Sequence, residues 1–187
     1  MSLALLLNTL CLNKKETLVG NKINRDKAGL LAFLLVLTLN LCARAVDGIT
    51  RGVPDPTIIQ SKQDGSYYIF STGRGVAIHR SKDLVSWERI GTVFDTSVPD
   101  WARAEVPGSR NIWAPEIAHF NGKYHLYYSV STFGSQRSCI GLTTNVSLDP
   151  ASNDYKWIDH GKVIESAPGK TNFNAIDASP FIDKDGS

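Results

Sequence analysis

Residues 115–129 read PEIAHFNGKYHLYYS, and residues 56–71 read PTIIQSKQDGSYYIFS. Both stretches begin with proline and run through apolar residues to a polar turn that contains glycine. An aromatic run then starts two residues after that glycine. A third copy, PFIDKDGS, begins at Pro180, so the copies are about 60 residues apart. Self-similarity at a fixed spacing indicates a repeat architecture.

A second pair of stretches supports the same repeat. Residues 87–94 read WERIGTVF and residues 157–164 read WIDHGKVI, so each unit has a later strand that starts at tryptophan. We expect both tryptophans, Trp87 and Trp157, to lie in the core. The dipeptides Asp64-Gly65 and Asn121-Gly122 are typical of hairpin turns. Runs of β-branched and aromatic residues predict short strands at 57–59, 67–71, 76–79, 116–119, 124–130 and 140–143.

The predicted fold class is all-β. Units of about 60 residues with four strands have the size of a β-propeller blade with long loops. The alternative is a β-sandwich, in which such repetition is not expected. The sequence supplies two units and the start of a third, whereas propellers have at least about four blades. We therefore expect the N-terminal part of a larger propeller.

The first 45 residues have the features of a secretory leader. Residues 28–42, AGLLAFLLVLTLNLC, carry no charge; basic residues precede them and Ala43-Arg44-Ala45 follows. This pattern predicts a signal peptide cleaved after Ala45, and the run is short for a membrane span, which needs about 20 apolar residues. The predicted organisation is a leader over 1–45 and part of a catalytic propeller over 46–187, secreted and without stable membrane association.

Charge and cysteine content exclude several classes of function. The leader holds six of the 20 basic and two of the 18 acidic residues, so the remaining chain has 14 and 16 and a formal charge of −2. A surface without basic excess argues against nucleic acid as a partner. Cys139 is the single cysteine after residue 45, which gives no disulfide framework or zinc site. We expect it to be buried. Asn145-Val146-Ser147 is a glycosylation sequon.

An acid lies near the repeating proline in each unit. Asp55 precedes Pro56, Glu116 follows Pro115, and Asp177 lies three residues before Pro180. If the first strand of each blade lines a central channel, these carboxylates converge at one end of that channel. Glycoside hydrolases use such convergent carboxylates as general acid and general base. The alternative is that each acid only caps a turn, since Asp-Pro commonly begins one.

Together, seven motifs between residues 47 and 187 resemble glycoside hydrolase family 43, and within it most closely the endo-1,5-α-L-arabinanases. In order they are VPDPTII (53–59), YYIFSTG (67–73), HRSKDLVSW (79–87), NIWAPEI (111–117), YYSVSTFGS (127–135), IGLTT (140–144) and FNAID (173–177). The resemblance implies a five-bladed propeller that hydrolyses its substrate with inversion, and a chain that here covers roughly the first two blades and the start of the third.

The resemblance also implies roles for individual residues. Asp55 matches the general base, and Asp177 matches the carboxylate that raises the pKa of the general acid. The acid itself is a glutamate from the third blade, beyond residue 187; Glu165 does not match it. We therefore expect the 187 residues alone to be inactive. Substrate contacts are implied for Asp55, Trp113, Phe133, Gly134, Asn174, Ala175, Ile176 and Asp177.

The expected function is hydrolysis of internal α-1,5-L-arabinofuranosidic linkages in arabinan, a pectin side chain. The alternatives are an exo-acting arabinofuranosidase or β-xylosidase of the same family, and a non-catalytic carbohydrate-binding propeller. The expected partner is a polysaccharide. No organic cofactor and no metal ligand are implied within this chain, although the resemblance allows a structural calcium ion at the propeller centre.

Overall fold

The computed structural model describes residues 47–48, 52–181 and 183–184. The prediction of an all-β chain is confirmed, because the described residues form nine strands and one short helix. The strands are β1 Asp47–Gly48, β2 Thr57–Gln60, β3 Tyr67–Ser71, β4 Ala77–Ser81, β5 Ser86–Thr92, β6 Trp113–Phe120, β7 Lys123–Val130, β8 Ser138–Asn145 and β9 Ile158–Ser166, and the helix is α1 Asp100–Glu105.

The first sheet has the strand order β1-β5-β4-β3-β2. Strands β2 to β5 are antiparallel neighbours in sequence order, whereas β1 pairs with β5 in parallel. Side chains alternate along β3, where Tyr68 and Phe70 are fully buried and Tyr67 and Ile69 only partly so. This period of two is what a strand with one face on the core requires.

The second sheet repeats this plan in the order β6-β7-β8-β9, with every neighbouring pair antiparallel. The hairpin between β6 and β7 turns at Asn121 and Gly122, whose φ angles are 50° and 73°. Positive φ at both central residues defines the turn for which Asn-Gly is favoured. The repeat in the sequence is therefore a structural repeat of four-stranded meanders.

The core lies between the two sheets. One cluster of buried side chains joins β3 and β4 of the first sheet to β6, β7 and β8 of the second. Phe70 meets Trp157 edge to face with ring centroids 5.7 Å apart, and Phe94 meets Tyr128 in the same way at 5.1 Å. The first strands of the two sheets also touch, since the N–H of Ile117 donates to Oγ1 of Thr57 over 3.4 Å.

Helix α1 lies in the connection between the sheets and was not predicted. Trp101 donates from Nε1 to Oδ2 of Asp159 over 2.8 Å, and Asp159 also accepts from the hydroxyl of Tyr128. Arg137 donates to the backbone oxygen of Glu105 and pairs with its carboxylate. These contacts attach the connecting segment to the second sheet.

The two repeated tryptophans differ in environment. Trp157 packs against the core cluster, as expected. Trp87 lies outside that cluster, half-buried on β5, where its Nε1 donates to the carbonyl of Leu84. The interpretation of Trp87 as a core residue was therefore wrong.

Two further predictions from the sequence concern β8. Cys139 is fully buried, as predicted, and burial raises the pKa of its thiol to about 11. Asn145 of the sequon is only 2% exposed, and its Oδ1 accepts the N–H groups of Ser147 and Lys156. The Nδ2 atom of Asn145, to which a glycan would be attached, is therefore buried in the folded chain.

The predicted leader lies outside the described residues and stays a prediction. In the described part of the chain, no helix has the length and apolar character needed to cross a membrane.

Candidate active site

Asp55 lies immediately before β2, at the entry to the first sheet. Its φ is 46°, and its side chain is exposed. Oδ2 of Asp55 accepts a hydrogen bond from the hydroxyl of Thr72 over 2.7 Å. The backbone of Thr72 is fixed as well, because its N–H donates to the carbonyl of Pro54. The end of β3 therefore holds the carboxylate that precedes β2.

The corresponding position in the second sheet is Ala114, which also has positive φ, at 25°. Its N–H donates to Oγ1 of Thr72 over 2.7 Å. Beside this contact, Gly73 and Ile112 exchange two backbone hydrogen bonds of 3.0 Å. One threonine hydroxyl therefore contacts the entries of both sheets.

Asp177 occupies the same position after the second sheet. Its φ is 55°, and its N–H donates to Oγ of Ser129 over 2.9 Å. Ser129 is fully buried, and it pairs with Trp113 in the ladder between β6 and β7. A continuous series of contacts thus runs from Asp55 through Thr72, Trp113-Ala114 and Ser129 to Asp177.

The expectation of three equivalent acids was wrong at the second sheet. The residue equivalent to Asp55 and Asp177 is Ala114, and Glu116 lies two residues further along β6. Ala114 precedes Pro115 just as Asp55 precedes Pro56, so Glu116 lies inside β6, beyond the entry. Two acids, from the first and third entries, remain equivalent.

The segment 167–177 contains the other predicted substrate contacts, and hydrogen bonds from Ser166 and Gln136 fix its position. Ser166 donates from Oγ to the carbonyl of Gln136 and accepts the N–H of Ala175. Gln136 also donates to the carbonyl of Thr171 over 2.7 Å. Ala175 is only 3% exposed and Ile176 is half-buried, whereas Asn174 and Asp177 are exposed. The segment therefore presents an amide and a carboxylate to solvent above an apolar anchor.

Trp113 and Phe133, predicted separately, lie together. Their ring centroids are 4.7 Å apart with an interplanar angle of 40°. Trp113 is half-buried and Phe133 is 95% exposed, followed by Gly134 with φ of 75°. An exposed aromatic surface next to the sheet entries is suited to stacking against the apolar face of a sugar.

Glu165 belongs to an ion-pair cluster away from these residues. Lys162 and Arg137 both donate to its Oε2, over 2.7 Å and 2.8 Å. These hydrogen bonds lower the pKa of Glu165 to about 2, so the carboxyl is ionised at neutral pH. A general acid must carry a proton, which agrees with leaving Glu165 out of the site.

Among the residues that the structure describes, no group of three His, Cys, Asp or Glu side chains is placed to hold a metal ion. The calcium ion that the resemblance allows at the propeller centre stays a prediction, and no chemical step here is assigned to a metal.

Sequence reasoning missed the hydroxyl residues. Thr72 and Ser129 each follow the glycine of their hairpin, Gly65 or Gly122, by seven residues. That equivalence is visible in the sequence as a recurring hydroxyl at the end of the aromatic run. The role of these hydroxyls depends on contacts with residues that lie 42 and 48 positions further along the chain, Ala114 and Asp177. The sequence alone does not show these contacts.

Comparison with known proteins gives a consistent result. The chain is 42% identical over 154 residues to the extracellular exo-α-(1→5)-L-arabinofuranosidase ArbA of Cellvibrio japonicus, covering 82% of this chain and 42% of that relative. It is 40% identical to the extracellular endo-α-(1→5)-L-arabinanase 1 of Bacillus subtilis, covering 71% and 40%. The chain thus spans less than half the length of these curated relatives.

The similarity extends to solved structures. The α-L-arabinanase of Cellvibrio cellulosa complexed with arabinohexaose superposes with a TM-score of 0.68 at 42% identity, covering 72% of this chain and 42% of that one. The family model for glycosyl hydrolases family 43 matches residues 49–187. Since this match covers most of the chain, the protein belongs to glycosyl hydrolases family 43.

Proposed function

We propose that the complete protein is a secreted glycoside hydrolase that cleaves internal α-1,5-L-arabinofuranosidic linkages of arabinan with inversion. The observation that carries the proposal is the placement of two exposed carboxylates, Asp55 and Asp177, at the first and third of three equivalent positions, of which Ala114 is the second. Relatives named as arabinanases and arabinofuranosidases supply the substrate class.

In the proposed reaction Asp55 is the general base. It takes a proton from a water molecule, whose oxygen attacks the anomeric carbon while the glycosidic oxygen leaves from the opposite face. Inverting enzymes keep base and acid about 6.5–9.5 Å apart to accommodate that water. The acid is proposed to be a glutamate of a later blade, which protonates the leaving oxygen.

Asp177 is proposed to tune that acid. A second carboxylate nearby disfavours loss of a proton from the acid and so raises its pKa, because two like charges repel. Asp177 is exposed while its N–H is anchored on the buried Ser129. The anchoring supports a fixed position for the charge.

The sugar would be bound by the surface around these acids. The Trp113–Phe133 pair offers a stacking face, and Asn174 offers an exposed amide. Gly134 and the backbone of Ala175 and Ile176 complete the proposed contacts. No organic cofactor takes part in this reaction.

The proposed architecture is a five-bladed propeller. Each sheet is a meander of strands consecutive in sequence, and the first strands β2 and β6 lie against each other. A sandwich would not require equivalent positive-φ residues at Asp55, Ala114 and Asp177. These features support the propeller over the sandwich.

The exo-acting mode is a second candidate, because ArbA and this chain share 42% identity. The similarity to the relative from Bacillus subtilis that is named as an endo-arabinanase supports the endo mode. Incubation of the complete protein with linear 1,5-arabinan separates the two. A ladder of oligosaccharides supports the endo mode, whereas a single short product from the chain end supports the exo mode.

The non-catalytic alternative is tested in the same assay. The wild-type protein should release products, and Asp55→Ala should abolish turnover while binding of arabinan is retained. Binding without turnover by the wild type would support the carbohydrate-binding alternative, and loss of binding with turnover retained would contradict the role of Asp55.

A further inference from the structure

The inference concerns the residue that places the proposed base, and it rests on the proposed function. Thr72 is half-buried at the end of β3, and nothing in the reaction above assigns it a role. Its hydroxyl donates to Oδ2 of Asp55 and accepts the N–H of Ala114, both over 2.7 Å. A hydroxyl has one proton to donate. With Ala114 as the donor to Thr72, that proton is directed to Asp55.

The two oxygens of Asp55 are thereby made unequal. Oδ2 is committed to Thr72, and Oδ1 has no hydrogen-bond partner among the described residues. A base must have a lone pair aimed at the water that it deprotonates. Oδ1 is the oxygen left for that role.

The backbone around Thr72 is fixed on both sides. Its N–H is bound to the carbonyl of Pro54, and the next residue, Gly73, exchanges two hydrogen bonds with Ile112. The hydroxyl therefore has a defined position relative to both sheets. Displacement of a catalytic group by about 1 Å costs on the order of 100-fold in rate, so such fixation has a direct consequence for catalysis.

One of the two Thr72 contacts, acceptance of a backbone N–H, recurs in the next repeat. Ser129 lies where Thr72 lies, seven residues after the hairpin glycine, and it accepts the N–H of Asp177. In both repeats the hydroxyl accepts the N–H of a positive-φ residue that lies outside the repeat's own sheet, Ala114 or Asp177. Because a hydroxyl accepts such an N–H in both repeats, chance is a poor explanation of the contact between Ala114 and Thr72.

We propose that Thr72 is a positioning residue that orients Asp55 through Oδ2, leaves Oδ1 to activate water, and couples the base to the entry of the second sheet.

The test uses the complete enzyme and the series Thr72→Ser, Thr72→Cys and Thr72→Val. Serine keeps the hydroxyl, cysteine keeps a weak donor of similar size, and valine keeps the shape alone. With linear 1,5-arabinan, kcat should stay within about 3-fold for serine and fall about 10- to 100-fold for valine, with KM nearly unchanged. The kcat of the cysteine variant should lie between those of the serine and valine variants. If the valine variant does not fold, the cysteine variant is used for the test.

The matched control is Thr143→Val. Thr143 is fully buried in β8, and its hydroxyl has no partner within the described part of the chain, so kcat should not change. Wild-type kcat in the valine and cysteine variants would overturn the proposal. So would an equal loss in the serine variant, or a rise of KM at constant kcat.

Amide hydrogen exchange provides a readout that needs no substrate. The N–H of Ala114 should exchange faster in Thr72→Val than in wild type, Thr72→Ser or Thr143→Val. Unchanged exchange would overturn the coupling. A wild-type enzyme that does not cleave arabinan but shows this exchange pattern would contradict the proposed function and leave the coupling of the sheet entries supported.

Discussion

Asp177 donates its backbone N–H to the hydroxyl of Ser129 over 2.9 Å, and Ser129 is fully buried. A residue of the third entry is thus anchored on β7 of the second sheet. The position of Asp177 therefore depends on a contact with the preceding repeat. Asp55 is linked to the following repeat in a similar way, because Thr72 binds both Asp55 and Ala114.

Ser129→Ala should lower both stability and turnover. Loss of the acceptor leaves the N–H of Asp177 without its partner, at a cost of about 1–3 kcal/mol in the free energy of unfolding. Denaturant unfolding measures this cost, and kcat on arabinan measures the displacement of Asp177. The control is Ser71→Ala, which removes a buried hydroxyl that has no partner in the described residues. Equal stability of the two variants would contradict the anchoring role.

Asp177→Asn should shift the alkaline limb of the pH–rate profile to lower pH. The amide removes a negative charge near the proposed acid, whose pKa then falls, so the acid loses its proton at a lower pH. The profile of kcat/KM for arabinan hydrolysis by the complete enzyme measures the shift. An alkaline limb that coincides with that of the wild type would exclude this role for Asp177.

Phe133→Ala should weaken substrate binding without affecting stability. The side chain is 95% exposed and contacts Trp113. Loss of stacking is expected to raise KM by roughly 2- to 10-fold, since aromatic contacts contribute about 0.5–1.5 kcal/mol. Phe70→Ala is the contrast, because Phe70 is fully buried and its removal should cost about 3–5 kcal/mol in stability. An unchanged KM for Phe133→Ala would contradict the stacking role.

Stability should decrease in acid in part through Glu165. Its pKa is lowered to about 2 by hydrogen bonds from Lys162 and Arg137. A depressed pKa stabilises the fold above the unfolded value of 4.5, and that contribution is lost as the pH falls towards 2. Glu165→Gln should therefore reduce the pH dependence of the free energy of unfolding between about 4.5 and 2. Because the group is exposed, salt should weaken the effect; identical slopes in the two proteins would contradict it.

The sequence predicted the sheets well because their signals are local. The Asn121-Gly122 turn and the aromatic run after it fix a hairpin within a few residues. Helix α1 escaped prediction because six residues are too few for a helical period to appear.

The site was predicted less completely. Asp55 and Asp177 were singled out by their place near the repeating proline, and the family resemblance supplied their roles; both have positive φ in the structure. Glu116 was misplaced because it follows Pro115, whereas the residue that corresponds to Asp55 is the one before that proline, Ala114. Thr72 and Ser129 were missed because their partners lie in the following repeat.

The central claim, inverting hydrolysis with Asp55 as base, is tested most directly by the anomeric configuration of the first product. Proton NMR is recorded while the complete enzyme cleaves linear 1,5-arabinan, with Asp55→Ala alongside. The account predicts that wild type initially releases the β-anomer from the α-linkage and that Asp55→Ala releases none. An initial α-anomer, or full turnover by Asp55→Ala, would contradict it.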